Sequence, residues 1–188
     1  MRRYEAIKLI MEHINNEIII SNIGHPSQEL FAIKDRPDNF YMLGSMGLAS
    51  SIGLGVALSS PKKIVVIDGD GSVLMNLGSL ATIGANQPKN YCLFIIDNES
   101  YGSTGFQPTF TSKNIKLHNI SKSCGIEKTF LCRNKTDCEN IIPEAINNNE
   151  GPFCVIIKTL KGNPDDIAII PHNPEFIKKR FMERLGEK

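Results

Sequence analysis

Two short polar clusters carry residue types that can hold a phosphorylated ligand through a metal ion: Gly69-Asp70-Gly71-Ser72 and Asp97-Asn98-Glu99-Ser100-Tyr101-Gly102. Each follows an apolar run, Ile64-Val65-Val66-Ile67 and Tyr91-Cys92-Leu93-Phe94-Ile95-Ile96. Such runs predict strands buried on both faces. Asp70 and Asn98 lie 98 − 70 = 28 positions apart, room for one helix and one strand, so two adjacent strand ends can bring them together. Mg2+ takes oxygen ligands at about 2.1 Å in an octahedron and needs few from the protein when phosphate oxygens complete its shell. The Asp70 carboxylate, the Asn98 amide oxygen and the Ser100 backbone carbonyl make such a set. Gly69 and Gly71 permit a tight turn and close approach of backbone to ligand. Gly71 and Ser72 can offer N–H groups to phosphate at a helix start.

Taken singly, a GDG or an Asp-Asn after a strand is only a turn signal. The specific feature is the pair at this separation in this strand context. A Rossmann turn is the nearest competitor, since Gly69 and Gly71 follow a strand. Its third glycine falls at Leu74, however, and no acidic residue stands at a strand end about 20 positions further on.

The elements that must position these clusters alternate. Tyr4, Ile7, Ile10, Met11 and Ile14 recur at helical spacing, and Ile18-Ile19-Ile20 predicts a buried strand. Ser27 to Ile33 suggests a helix capped by Ser27, with Leu30 turned to the core. Residues 46–58 are rich in Gly, Ala and Ser, and a helix there must pack very closely on its neighbour. Further helices are expected over 76–86, near 119–124, over 136–148 and over 174–185, with strands near 128–132 and over 153–159. Residues 99–114 are polar and are expected to be irregular. Strands alternating with helices predict an α/β fold, a three-layer sandwich with a mostly parallel sheet.

Composition removes several function classes. Lys plus Arg total 21 and Asp plus Glu 20, a net charge of +1 that gives no reason to propose nucleic acid or an anionic membrane as partner. The stretch from Leu43 to Leu58 is too short and too polar for a membrane span. No signal peptide is evident, and a cytoplasmic location is expected. The five cysteines include no CxxC spacing, which disfavours a structural zinc, a disulfide framework or an iron–sulfur cluster. Cys92 and Cys154 fall in buried strands and are expected to be core residues.

Gly69-Asp70-Gly71-Ser72 followed by Asp97-Asn98 resembles the signature of thiamine diphosphate enzymes, a GDG and a later pair ending in Asn. Asp97 stands where the first Asn of that pair is more usual. The resemblance implies that Asp70, Asn98 and Ser100 bind Mg2+ and that Gly69, Gly71, Ser72, Tyr101 and Gly102 contact thiamine diphosphate. It places Gly44, Ser45 and Met46 at the segment whose large apolar residue, Met46, props the cofactor in a bent shape. It runs from about Asn39 to Thr159 and is nearest to the decarboxylases of substituted pyruvates. The carrying segments are Phe40–Ser51, Leu77–Gly84, Ser103–Thr109 and, upstream, Asn22–Leu30.

Further expectations follow from the resemblance. Residues 1–188 are expected to form one diphosphate-binding (PP) domain. In single-chain relatives a glutamate from a preceding pyrimidine-binding domain activates the cofactor. Only 39 − 1 = 38 residues precede the matching region. No catalytic residue is therefore assigned to this chain, neither Glu12, Glu17 nor Glu29. An α subunit carrying the missing domain is the expected partner in a hetero-oligomer. The implied reaction is decarboxylation of a 2-keto acid, 3-sulfopyruvate to sulfoacetaldehyde and CO2 on the route to coenzyme M. Phosphonopyruvate decarboxylation, acetolactate-synthase-like carboligation and a non-catalytic regulatory role are the alternatives. For the substrate's anionic group His25, Lys113, His118, His172 and Lys178 are candidates, and none is assigned.

Overall fold

The computed structural model describes residues 1–164 and 166–186. Its elements in chain order are α1 (Arg3–Glu12), β1 (Ile18–Ser21), α2 (His25–Ile33), β2 (Asn39–Tyr41), α3 (Ala49–Ser59), β3 (Ile64–Gly69), α4 (Asp70–Met75) and α5 (Gly78–Asn86). They continue with β4 (Tyr91–Asp97), β5 (Ser100–Tyr101), β6 (Gln107–Pro108), α6 (Leu117–Ser123), β7 (Lys128–Cys132), α7 (Lys135–Asn147), β8 (Phe153–Lys158) and α8 (Pro174–Gly186). Six strands form one sheet in the order β2-β1-β3-β4-β8-β7, and every neighbouring pair is parallel.

The continuous apolar runs make sense because both sheet faces are covered. Val65, Ile67, Cys92, Phe94, Val155 and Ile157 join a core with α1, α2 and α7. Their sequence neighbours Ile64, Val66, Leu93, Ile95, Cys154 and Ile156 join a second core under α3, α5 and α6. Alternate side chains along one strand thus point to opposite layers, and the expected three-layer architecture holds. Cys92 and Cys154 are fully buried in these cores. The close packing expected of residues 46–58 occurs at Gly53, where an added Cβ would lie 2.2 Å from Val66 Cγ2. Among the described residues no helix is long and apolar enough to cross a membrane.

Topology places a crevice at the end of the sheet. The connection from β1 through α2 runs to β2, while that from β3 through α4 and α5 runs the other way to β4. Chain direction across the sheet therefore reverses between β1 and β3, and ligands of open parallel sheets bind outside the strand carboxyl ends at such a switch point.

Three local expectations are corrected. Ser27 does not cap α2, which starts at His25 after Gly24 at φ +75; the Ser27 hydroxyl instead donates to the carbonyls of Ser21 and Asn22. The turn expected at 69–71 is the start of α4, with Asp70 as its first residue. Residues 99–114 are not irregular throughout: β5 and β6 pair antiparallel, and a 3-10 turn spans Phe110–Ser112.

Candidate active site

The segments leaving β1, β3 and β4 line one cleft at the switch point, enclosing about 160 Å3. Asn22, Ile23, His25 and Pro26 come from the first segment, Gly69 to Ser72 from the second, and Ile96, Asn98 and Ser100 to Thr104 from the third. Arg3 and Met46 complete it. The fold thus brings together Met46, Gly69, Asp70, Gly71, Ser72, Asn98, Ser100, Tyr101 and Gly102. Gly44 and Ser45 are exposed and lie outside the lining. The loop that carries Met46 is tied to α4, since Gly47 N donates to Ser72 Oγ at 3.0 Å and Asn76 Nδ2 donates to the Gly47 carbonyl at 3.0 Å.

Asp70 is 1% exposed, and its Oδ2 accepts from the hydroxyls of Thr109 and Thr111, the latter at 2.9 Å. Thr111 Oγ1 also lies 2.8 Å from Asp97 Oδ1 and 2.9 Å from Thr109 Oγ1. Two hydroxyls supply two protons, fewer than these contacts can use. Burial, reinforced by the nearby Asp97, pushes the Asp70 carboxyl up to about 6 despite the threonine hydrogen bonds. Behind it Asp68 is fully buried and is likewise pushed up to about 6, chiefly by burial. Asp97 itself is balanced by Lys158, whose Nζ lies 3.0 Å from Asp97 Oδ2 and 2.5 Å from Glu99 Oε1. The aspartate found where asparagine is more usual is therefore one partner of an ion pair that braces Thr111.

Asn98 and Ser100 are 5% and 6% exposed, and the Asn98 amide oxygen accepts from Ser100 N at 3.1 Å. Glu99 turns the chain between them at φ +59. Ser100 Oγ is buried with no hydrogen-bond partner. The Tyr101 ring lies against Gly71, where an added Cβ would approach its Cε1 to 2.4 Å. The donor set is thus a buried carboxylate short of positive charge, a carboxamide and a serine, all oxygen and all within one cleft. That set suits Mg2+ completed by phosphate oxygens. Among the described residues no group of three or more His, Cys, Asp and Glu side chains is arranged to hold a metal by itself.

Several cleft residues escaped the sequence reading. Asn22 Oδ1 accepts from Ser72 Oγ at 3.2 Å and so joins the ends of β1 and β3. Arg3, 6% exposed, pairs with Glu29 at 2.7 and 3.0 Å and donates to Asn163 Oδ1 at 2.9 Å; Asn163 in turn donates to the Gly102 carbonyl at 2.9 Å. Of the candidate anion holders, only His25 lines this cleft, and burial followed by the Arg3 charge lowers its pKa. His172 packs between Phe31 and Phe176 beside Asp35. Lys113 and Lys178 are exposed, and His118 lies in another cleft.

Fold and cleft define a class: a parallel α/β domain with its ligand cleft at the switch point of the sheet. Residues 23–157 match the family described as thiamine pyrophosphate enzyme, C-terminal TPP binding domain. The chain is 51% identical over 185 residues to the sulfopyruvate decarboxylase subunit beta of Methanocaldococcus jannaschii, covering 98% of this chain and 97% of that one. It is 41% identical to the sulfopyruvate decarboxylase of Methanosarcina acetivorans, all of this chain matching 48% of that longer one. An X-ray structure of a Mycobacterium smegmatis protein described as thiamin diphosphate-dependent superposes with a TM-score of 0.73 at 16% identity, over 86% of this chain and 32% of that one. The chain belongs to the thiamine diphosphate enzymes and, among them, to the family of sulfopyruvate decarboxylase beta subunits.

Proposed function

We propose that this chain is one diphosphate-binding domain and serves as the beta subunit of a decarboxylase that converts 3-sulfopyruvate to sulfoacetaldehyde and CO2 in coenzyme M biosynthesis. In this reading it acts with an α subunit that supplies the pyrimidine-binding half. The observation that carries the site is Asp70, a buried carboxylate short of positive charge, facing the same cleft as Asn98 and Ser100 at the switch point. The substrate rests on the 51% identity to a sulfopyruvate decarboxylase subunit.

Asp70, Asn98 and the Ser100 carbonyl would hold Mg2+, which would supply the positive charge that the diphosphate needs in this cleft. Gly71 and Ser72, in the first turn of α4, give backbone N–H groups to the diphosphate where the helix dipole favours negative charge. Met46 supports the organic part of the cofactor, and Tyr101 and Gly102 close the cleft beside it. When bound, thiamine diphosphate supplies a thiazolium electron sink for the electrons left as CO2 departs.

The partner's place is suggested by apolar residues on the segments that carry the cleft. Leu43 and Leu48 flank Met46, Met75 ends α4 and Leu77 follows it, and Phe106 and Phe110 follow β5. They are 52%, 42%, 62%, 36%, 45% and 62% exposed, and large apolar side chains left exposed together mark interaction sites.

The test of the substrate combines both subunits with Mg2+ and thiamine diphosphate and measures CO2 from 3-sulfopyruvate, phosphonopyruvate and pyruvate. The proposal expects kcat/KM to be highest for 3-sulfopyruvate. A preference for phosphonopyruvate would move the enzyme to the neighbouring activity, and condensation of pyruvate would make it a carboligase.

The two threonines give a finer prediction. Their hydroxyls occupy Asp70 Oδ2, which leaves Oδ1 for the metal. Residues that orient a metal ligand typically contribute 10–100-fold to affinity. The double replacement Thr109→Val, Thr111→Val is therefore expected to weaken Mn2+ binding by at least about tenfold in an electron paramagnetic resonance titration of the assembled enzyme. Thr→Ser at both positions should bind as wild type does. Equal affinity in the valine variant would show that Asp70 needs no bracing.

A further inference from the structure

A second cleft opens on the far side of the end of β4, bounded by α6, β7 and β8, and encloses about 220 Å3. Its polar lining is mostly basic: Lys116, Arg133 and Lys158 with the imidazole of His118, beside Thr111 and one carboxylate, Asp97. Asp97 is already balanced by Lys158. Among the described residues, no carboxylate lies within ion-pair distance of Lys116, His118 or Arg133. The Lys116 ammonium reaches only the Lys113 carbonyl, at 3.4 Å. Cations normally spread out or pair on a protein surface; here they converge on one concavity at the carboxyl ends of two parallel strands, where ligands of such sheets bind. The His118 pKa is lowered first by burial and then by Arg133, Lys116, Lys122 and Lys158, as a site of positive potential requires. The floor is apolar, with Leu117 and Ile156 at 2% and 1% exposure.

We propose that this second cleft binds a small organic oxyanion, a short carbon stem on the apolar floor with its sulfonate or phosphate group held by Lys116, His118, Arg133 and Lys158. A fork of guanidinium donors and a flexible ammonium suit a tetrahedral oxyanion. The volume is below the roughly 300–1,000 Å3 of drug-sized sites, so the ligand is small.

The cleft also shares a wall with the first one. Asp97 and Thr111 line it, and a continuous chain of contacts runs from Lys158 to Asp97 at 3.0 Å, to Thr111 at 2.8 Å and to Asp70 at 2.9 Å. An anion that draws Lys158 toward itself leaves more negative charge on the Asp97–Asp70 side, and its own charge acts in the same direction. The anion therefore raises metal affinity in the first cleft, and the metal raises anion affinity by the same factor. This coupling rests on the metal assignment proposed for Asp70, whereas the anion site stands without it.

Isothermal titration of the assembled enzyme, saturated with thiamine diphosphate, tests the site. The probes are ethanesulfonate, inorganic phosphate and sodium chloride at matched ionic strength. Saturable binding of ethanesulfonate or phosphate, beyond chloride, is expected, and the tighter of the two names the anion's source. The exposed pair Lys116→Gln, Arg133→Gln should weaken it at least about tenfold, since both charge-assisted contacts to the anion are lost. Anion affinity in wild type should not fall as thiamine diphosphate is raised further above saturation, which separates this cleft from displacement of diphosphate in the first; a competitive fall overturns the site. No saturable binding beyond chloride, or undiminished binding in the glutamine pair, overturns the site. For the coupling, Mn2+ affinity is measured by electron paramagnetic resonance with and without ethanesulfonate. A rise of about fivefold or more is expected, and no change overturns the relay.

Discussion

Replacing Asp70 by alanine is expected to reduce cofactor-dependent decarboxylation by the assembled enzyme to background. The metal in the proposed site has one protein carboxylate, and among the residues lining the first cleft Asp70 is the only acid. Nothing nearby can substitute, because Asp97 is engaged by Lys158 and Asp68 is buried behind the site with Oδ2 unpartnered. Stability should move in the opposite sense. The Asp70 carboxyl has a folded-state pKa of about 6 against an ordinary 3.8. Burial of the charge thus opposes folding by about 3 kcal/mol once the pH is above 6, and not at all below about 4. Asp70→Asn removes that charge, so the metal-free protein is expected to melt no lower than wild type at pH 7.5. The variant should also lose the rise in melting temperature that Mg2+ and thiamine diphosphate give wild type. For wild type that rise falls as pH drops through 6, where the carboxyl takes up its proton. A variant with wild-type turnover, or one that still gains stability from Mg2+ and cofactor, would sink the metal assignment.

The site was legible because its two central residues are tied to strong local signals. Strands β3 and β4 are buried on both faces, so their continuous apolar runs stand out, and the spacing of one crossover aligned Asp70 with Asn98. What escaped was held by weaker signals or by distance. Asp70 was read as part of a turn because glycines on either side of it look like a break, although they admit a helix start equally well. Strands β5 and β6 are two residues each, too short for any alternation to show. Thr109 and Thr111 are ordinary loop residues by type, and only the folded hairpin turns their hydroxyls to Asp70. The Arg3–Glu29 and Arg3–Asn163 contacts span 26 and 160 positions, and no local pattern encodes a pairing at that range. Glu29 looked available in the sequence; it is instead fully buried and engaged by both nitrogens of the Arg3 fork.

That last contact bears on the second large effect. The purified chain alone, with saturating Mg2+ and thiamine diphosphate, is expected to release no CO2 above background, and turnover should appear when the α subunit is added. Activating the cofactor requires an acid positioned against its aminopyrimidine ring. The three glutamates Glu12, Glu17 and Glu29 are poorly placed for that role. Glu12 is exposed on α1, Glu17 accepts from Asn15 N at 2.6 Å, and Glu29 is locked by Arg3. Among the residues lining the cleft Asp70 is the one acid, and the proposed site assigns it to the metal. The cleft's 160 Å3 lies below the roughly 300–1,000 Å3 typical of drug-sized ligand sites, which agrees with a partner surface closing over the cofactor. If the exposed apolar side chains beside the cleft form that contact, then Leu48→Asp with Met75→Asp should raise the α-subunit concentration needed for half-maximal activity at least tenfold, about 1.4 kcal/mol, while leaving activity at saturating partner largely intact. Full turnover by the chain alone would place the activating acid within it and remove the need for a shared active site. Unchanged assembly of the aspartate variant would move the contact elsewhere. Because the metal half and the activating half would then lie on separate chains, neither subunit could decarboxylate free substrate before assembly, and association itself would set when the cofactor becomes reactive.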